Sequence, residues 1–259
     1  MNAAPFDLHG HQIRWTELPG RLPARVFVHG LGSNGAAIYA DVVTDPAIAG
    51  HRTLVLDLPG HGSSDRPADY AYTLDAHAAA VAAVCVAAGV DQIDLVGHSL
   101  GGDTSILVAG LYPGLVARLV ISEANLDALP ASATGRASQA LRLQTEAEFV
   151  ATGYARLMAD NPGWAATLIG CDPVAVYRSA VGLTVGRTPM TRELFIGLDM
   201  PRTFLHGDHG EPLLGADALR AAGIRVVEIP AAEHMVMLDN RPGYVAALAA
   251  ALRAGDSPA

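Results

Sequence analysis

The chain has 259 residues, 51% of them apolar and 17% charged, which suits a large buried core and excludes a disordered polypeptide. Its 17 Lys and Arg against 26 Asp and Glu give a net charge of −9 without runs of like sign, so neither nucleic acid nor an anionic membrane surface has electrostatic support as a partner. The predicted strands, in chain order, are Gln12–Glu17, Arg25–Val28, Arg52–Asp57, Gln92–Val96, Arg118–Ser122, Pro201–Leu205 and Arg225–Ile229. They are short Val/Ile/Leu-rich runs alternating with longer Ala-rich helical stretches, the pattern of βαβ units and a mostly parallel sheet flanked by helices. Predicted helices include Gly102 to Leu111, Arg136–Leu157, Pro173–Leu183 and Gly243 to Leu252. The segment 125–197 interrupts the alternation with helices alone and, at about seventy residues, is too long for an ordinary crossover. It is expected to form a helical cap over the strand ends, leaving 1–124 and 198–259 as the core.

Residues 1–7 have neither the basic nor the apolar region of a secretory signal, and the uncharged stretch Ala78 to Val90 is too short to span a bilayer. Cys85 and Cys171 have no metal-ligand spacing and read as free thiols. The expectation is a soluble, cytoplasmic protein, monomer or homodimer, acting on a small molecule without metal or cofactor.

The pentapeptide Gly97-His98-Ser99-Leu100-Gly101 lies between a predicted strand and a predicted helix. A serine on such a turn needs positive φ and small residues two positions to either side, which Gly97 and Gly101 supply, and the turn lifts its hydroxyl above the sheet edge. Ser99 is thus a candidate nucleophile, and the Leu100 amide at the start of the helix is aimed where an oxyanion would form. A serine hydroxyl needs an imidazole to take its proton and a carboxylate to orient that imidazole. Ligands of open α/β sheets bind outside the carboxyl ends of the strands, where His29-Gly30, Ser99, Glu123, Gly207-Asp208 and His234 cluster.

Taken together, Val26-Phe27-Val28-His29-Gly30-Leu31-Gly32, Leu56-Asp57-Leu58-Pro59-Gly60-His61-Gly62-Ser63-Ser64, Gly97-His98-Ser99-Leu100-Gly101-Gly102 and the late His234 resemble the α/β-hydrolase superfamily from about residue 10 to 252. The resemblance implies an α/β-hydrolase fold with His234 as the base and His29, His61 and His98 in structural turns. It implies an oxyanion hole built from the Leu100 amide and one from the His29-Gly30-Leu31 turn, by preference Leu31, with Gly30 and Gly32 as alternatives. It implies no metal and no organic cofactor.

Most of the superfamily places the acid three residues after the glycine that here is Gly207, but that position is Gly210, with Asp208 and Glu211 nearby. A minority, including some dehalogenases and zearalenone-type lactonases, place a glutamate at the end of the strand after the nucleophile helix, where this chain has Glu123, 24 residues beyond Ser99. A carboxylate ending an apolar strand is costly to bury alone and calls for a partner. Glu123 is therefore preferred as the acid and Asp208 is the alternative. Asp103, in the first turn of the nucleophile helix, reads as structural. Trp164 is a candidate substrate contact, with Met158, Tyr154, Leu168 and Phe195 as further candidates for an apolar pocket. Arg178-Ser179 and Arg187 read as cap surface or as contacts to a polar substrate group.

These residues point to a serine hydrolase cleaving a carboxylic ester or lactone of a small, largely apolar substrate through an acyl-enzyme. Hydrolysis of a carbon–carbon bond beside a ketone, or ligand sensing on the same scaffold, remain open. Dehalogenase and epoxide hydrolase chemistry is disfavoured, because those relatives carry Asp where Ser99 stands.

Overall fold

The computed structural model describes residues 1–128, 141, 143–185 and 187–253. Its strands are β1 (Asn2–Pro5), β2 (Gln12–Leu18), β3 (Arg21–Val28), β4 (His51–Asp57), β5 (Ile93–His98), β6 (Val116–Ser122), β7 (Arg202–Gly207) and β8 (Arg225–Ile229). They form one sheet in the order β1-β2-β4-β3-β5-β6-β7-β8. β1 and β2 are antiparallel to their neighbours, and from β4 to β8 every pairing is parallel. Each of the seven strands expected from the apolar runs is present. β1 is additional: Asn2-Ala3-Ala4-Pro5 has no apolar run and is held by pairing with β2.

Alternation along the central strands divides the core between the two faces of the sheet. Val26, Val28, Leu54, Leu56, Ile93, Leu95, Leu119 and Ile121 face helices α2 (Leu74–Ala87) and α3 (Leu100–Leu111). Phe27, Val55, Val96, Val120 and Leu205 face α1 (Gly35–Val43) and the C-terminal helix. Side chains cap several helix starts: Asn34 accepts from the Ala37 amide at α1 and Thr73 from the Ala76 amide at α2.

Between β6 and β7 lie α4 (Glu146–Glu148), a π-helical turn (Phe149–Gly153), α5 (Tyr154–Asp160), α6 (Pro162–Leu168), α7 (Pro173–Thr184) and α8 (Thr191–Gly197). After β7 come α9 (Ala216–Ala221), α10 (Val236–Asp239) and α11 (Arg241–Leu252). The expected continuous helix Arg136–Leu157 falls partly outside the described residues, and within them it is corrected. A new start occurs at Thr145, whose hydroxyl accepts from the Glu148 amide while the Glu148 carboxylate accepts from the Thr145 amide. That reciprocal pair is a capping box, the local signal of a helix start.

Arg178 binds Glu146 and donates to the carbonyls of Ala68 and Tyr70, and Arg187 pairs with Asp75. Ser179 bonds the buried His77. The guanidiniums of Arg178 and Arg187 and the hydroxyl of Ser179 thus tie the inserted helices to the core. No described helix is long and apolar enough to cross a membrane.

Candidate active site

The turn from β5 into α3 is as tight as the glycine spacing implies. Ser99 has φ 51° and ψ −122°, a conformation an L-residue holds only under constraint. A Cβ at Gly97 would stand 2.3 Å from Gly101 O, and one at Gly101 would stand 2.2 Å from Val28 O. Both positions must lack a side chain for the helix to start where it does. The Ser99 amide donates to Ser122 O at 2.8 Å, tying the turn to the end of β6. Leu100 is the first residue of α3, so its N–H belongs to those with no partner inside the helix.

One residue beyond β6, Glu123 also has positive φ, 55°. Its side chain is only 6% exposed, and each oxygen has a distinct neighbour. Oε1 accepts from the Gly207 amide at 2.8 Å, and Oε2 lies 3.5 Å from His234 Nδ1. Gly207 comes this close because its carboxyl-end turn is pressed against the histidine loop: a Cβ there would be 2.1 Å from Ala232 O. His234 itself is about half exposed, and its ring centroid is 5.0 Å from that of His98, the residue before Ser99. The fold thereby gathers Ser99, Glu123 and His234 at the carboxyl ends of β5, β6 and β8.

Asp208 is engaged otherwise. Its carboxylate accepts from the Ala232 amide at 3.3 Å and lies 3.8 Å from His209, so it braces the histidine loop from outside. Among the described residues the ion-pair partner of His234 is Glu123. Glu211 is exposed.

The His29-Gly30-Leu31-Gly32 turn follows β3 and lies against the nucleophile, since a Cβ at Gly30 would be 3.2 Å from Ser99 Cβ. His29 is fully buried. Its Nε2 accepts from the Leu58 amide at 3.0 Å, and its Nδ1 donates to Gly30 O at 2.7 Å. Because the peptide is planar and trans, fixing the Gly30 carbonyl turns the Leu31 N–H to the opposite side. Burial lowers the pKa of His29, and it lowers those of His61 and His98 further, so all three rings are neutral at pH 7. His77 is pushed down to about 3 for the same reason.

Trp164, on α6, covers the same turn and spends its indole N–H on Gly32 O at 3.1 Å. Leu168 and Phe195 are core residues, and the Tyr154 hydroxyl donates to Leu168 O, with Cys171 O 3.2 Å away. Asp103 is buried and accepts from the Asn125 amide. The bond from α6 to Gly32 could not be read from the sequence, since it joins residues 132 positions apart. Among the described residues no group of three His, Cys, Asp or Glu is placed to hold a metal ion.

A family model described as alpha/beta hydrolase fold matches residues 23–167. The chain is 37% identical over 124 residues to a dihydrolipoyllysine-residue acetyltransferase component of an acetoin cleaving system from Pseudomonas putida, a match covering 46% of this chain but only 32% of that protein. It is 26% identical over 242 residues to 2-(acetamidomethylene)succinate hydrolase from Mesorhizobium japonicum, covering 84% of this chain and 83% of the relative. Among solved structures, an esterase from Exiguobacterium antarcticum superposes with a TM-score of 0.79 at 17% identity, covering 98% of this chain and all of that one. With the family model spanning more than half of its residues, and the sheet order and nucleophile turn described above, the chain is an α/β hydrolase, a member of the α/β-hydrolase fold family.

Proposed function

We propose that the chain is a serine hydrolase that cleaves a carboxylic ester or lactone of a small, largely apolar substrate through an acyl-enzyme. The observation that carries this reading is the Glu123 carboxylate, buried at the end of β6 with one oxygen held by the Gly207 amide and the other facing His234 Nδ1. A carboxylate so placed favours the His234 tautomer that carries its proton on Nδ1, leaving Nε2 free to accept one. Ser99 is the nucleophile: His234 Nε2 takes the hydroxyl proton as Oγ bonds to the acyl carbon. The resulting oxyanion is received by the Leu31 and Leu100 amides. His234 returns the proton to the departing alkoxide, and the acyl-enzyme is hydrolysed by the same steps with water in place of Ser99.

Glu123 stabilises the imidazolium that forms twice in each cycle, and Asp208 steadies the loop that carries His234. The described helices of the inserted segment, α4 to α8, serve as a helical cap, with α6 lying across the oxyanion turn as an apolar roof. The relative that hydrolyses 2-(acetamidomethylene)succinate and the structurally similar esterase are consistent with hydrolytic chemistry on this scaffold.

The test is steady-state hydrolysis of a panel of p-nitrophenyl esters and small lactones by the intact chain and by Ser99→Ala and His234→Ala. The reading expects turnover that falls by about 10⁴-fold or more in either variant, since members of such a unit act together. Turnover that survives Ser99→Ala would refute it.

A further inference from the structure

The Gly32 carbonyl, one residue past the Leu31 amide, receives two donors from the inserted segment. Trp164 Nε1–H donates at 3.1 Å and the Thr167 hydroxyl at 2.8 Å. The Thr167 hydroxyl also lies 3.1 Å from Trp164 O, but it has one proton, and the shorter contact is to Gly32. Gly32 has φ +65°, and a Cβ there would stand 2.6 Å from the Trp164 ring and 2.7 Å from Leu168, so α6 rests directly on its backbone. One residue further on, the Cys171 thiol lies 3.6 Å from Ser33 O, although its shorter contact, 3.4 Å, is to Thr167 O within its own segment.

The other side of Leu31 is held from the core, by His29 on the Gly30 carbonyl. The Leu31 N–H therefore sits between two pinned carbonyls, one fixed by a core histidine and one by the inserted helices. If α6 lifts away, Gly32 loses both donors together, and a glycine in the left-handed region has many other conformations to adopt.

We propose that Trp164 and Thr167 are positioning residues for the oxyanion hole: through the Gly32 carbonyl they orient the Leu31 amide, so that the hole is complete only when α6 is seated on the turn. This rests on the hydrolase reading above. It assigns Trp164 a task beyond contact with substrate, because its N–H is already engaged. It also makes the inserted segment part of the catalytic geometry rather than a passive roof.

A positioning role moves transition-state binding without moving substrate binding, which separates it from a merely structural one. The experiment compares wild type, Thr167→Val, Thr167→Ser and Trp164→Phe. It measures kcat and KM on p-nitrophenyl butyrate and the inhibition constant of an aryl trifluoromethyl ketone. Ser99 Oγ adds to the ketone carbon and passes its proton to His234, and the carbonyl electron pair becomes an oxyanion, so the adduct reports on the hole directly.

Losing a donor within such a hole costs about 10²- to 10³-fold, and losing one that only orients it costs less. Thr167→Val is expected to lower kcat about tenfold with KM within about twofold, and to weaken the ketone by the same factor as kcat. Trp164→Phe is expected to act in the same direction, and Thr167→Ser to recover to within about threefold of wild type. Unfolding midpoints are recorded for each, and Trp164→Phe, which keeps an aromatic ring over Gly32, carries the test if Thr167→Val is unstable. Variants with wild-type kcat and ketone affinity, or a Thr167→Ser no better than Thr167→Val, overturn the inference while leaving Ser99 chemistry intact. A wild type with no Ser99-dependent turnover and no ketone adduct removes the hydrolase reading and this inference together.

Discussion

Replacing Glu123 by Gln isolates the charge that faces the imidazole while keeping the side chain's size. At 3.5 Å, two unit charges at an effective dielectric constant of about 20 attract by about 4.7 kcal/mol. His234 is about half exposed, so solvent screens a good part of this, and about 3 kcal/mol is a fair working value. That loss of imidazolium stabilisation corresponds to about 10²-fold in kcat. A second effect adds to it. Gly207 N–H must still find an acceptor, so the amide introduced by Glu123→Gln would turn its carbonyl oxygen toward Gly207 and its NH₂ toward His234 Nδ1. Facing a donor, Nδ1 becomes the acceptor, and the proton moves to Nε2, the wrong nitrogen for a base. The combined expectation is a fall of about 10³-fold in kcat for ester hydrolysis, with KM little changed. Asp208→Asn keeps an oxygen for the Ala232 amide and is expected to stay within about threefold of wild type. Circular dichroism and the unfolding midpoint establish that both variants fold. A wild-type rate in Glu123→Gln together with collapse in Asp208→Asn would refute the assignment of the acid.

The glycines can be tested by contrast. Gly101→Ala must push Val28 O from a 2.2 Å contact and should cost about 3 kcal/mol, about 10 °C in unfolding midpoint or a loss of soluble protein. Gly163→Ala, with no atom within 4 Å of the added methyl, should be neutral or mildly stabilising by the same scan. Acid stability follows from the four buried histidines. Burial holds His29, His61, His77 and His98 below their unfolded value near 6.5, so the unfolded chain binds protons first as pH falls. Their contribution is fully present above about pH 6.5 and is lost below it, by up to about 1.4 kcal/mol per pH unit for each ring. Urea midpoints should drop steeply between about pH 6 and pH 4.5, and a flat profile there would count against the buried neutral rings.

What could be read from the sequence was what local chemistry encodes. The strained turn at Ser99 was legible because a strand, two glycines at fixed offsets and a helix all impose one backbone geometry, and the contact of Glu123 with His234 because a carboxylate ending an apolar strand needs a partner. β1 was not legible, since Ala3 and Ala4 carry little apolar signal and only pairing with β2 makes them a strand. The start at Thr145 is written in Thr145-x-x-Glu148, inside a stretch whose helical character is read without its internal boundary. The contacts of Trp164 and Arg178 depend on which loops the fold brings beneath them, and no local pattern carries that information.

The central claim, that Ser99 is a nucleophile activated by His234, is tested most directly by the intact mass of the protein after exposure to an alkyl fluorophosphonate. Attack by Ser99 Oγ with loss of fluoride should add one phosphonyl group, located on the peptide containing Gly97-His98-Ser99-Leu100-Gly101, and the adduct should be absent in Ser99→Ala and greatly slowed in His234→Ala. An unmodified wild type, or an adduct that persists in Ser99→Ala, would contradict the account.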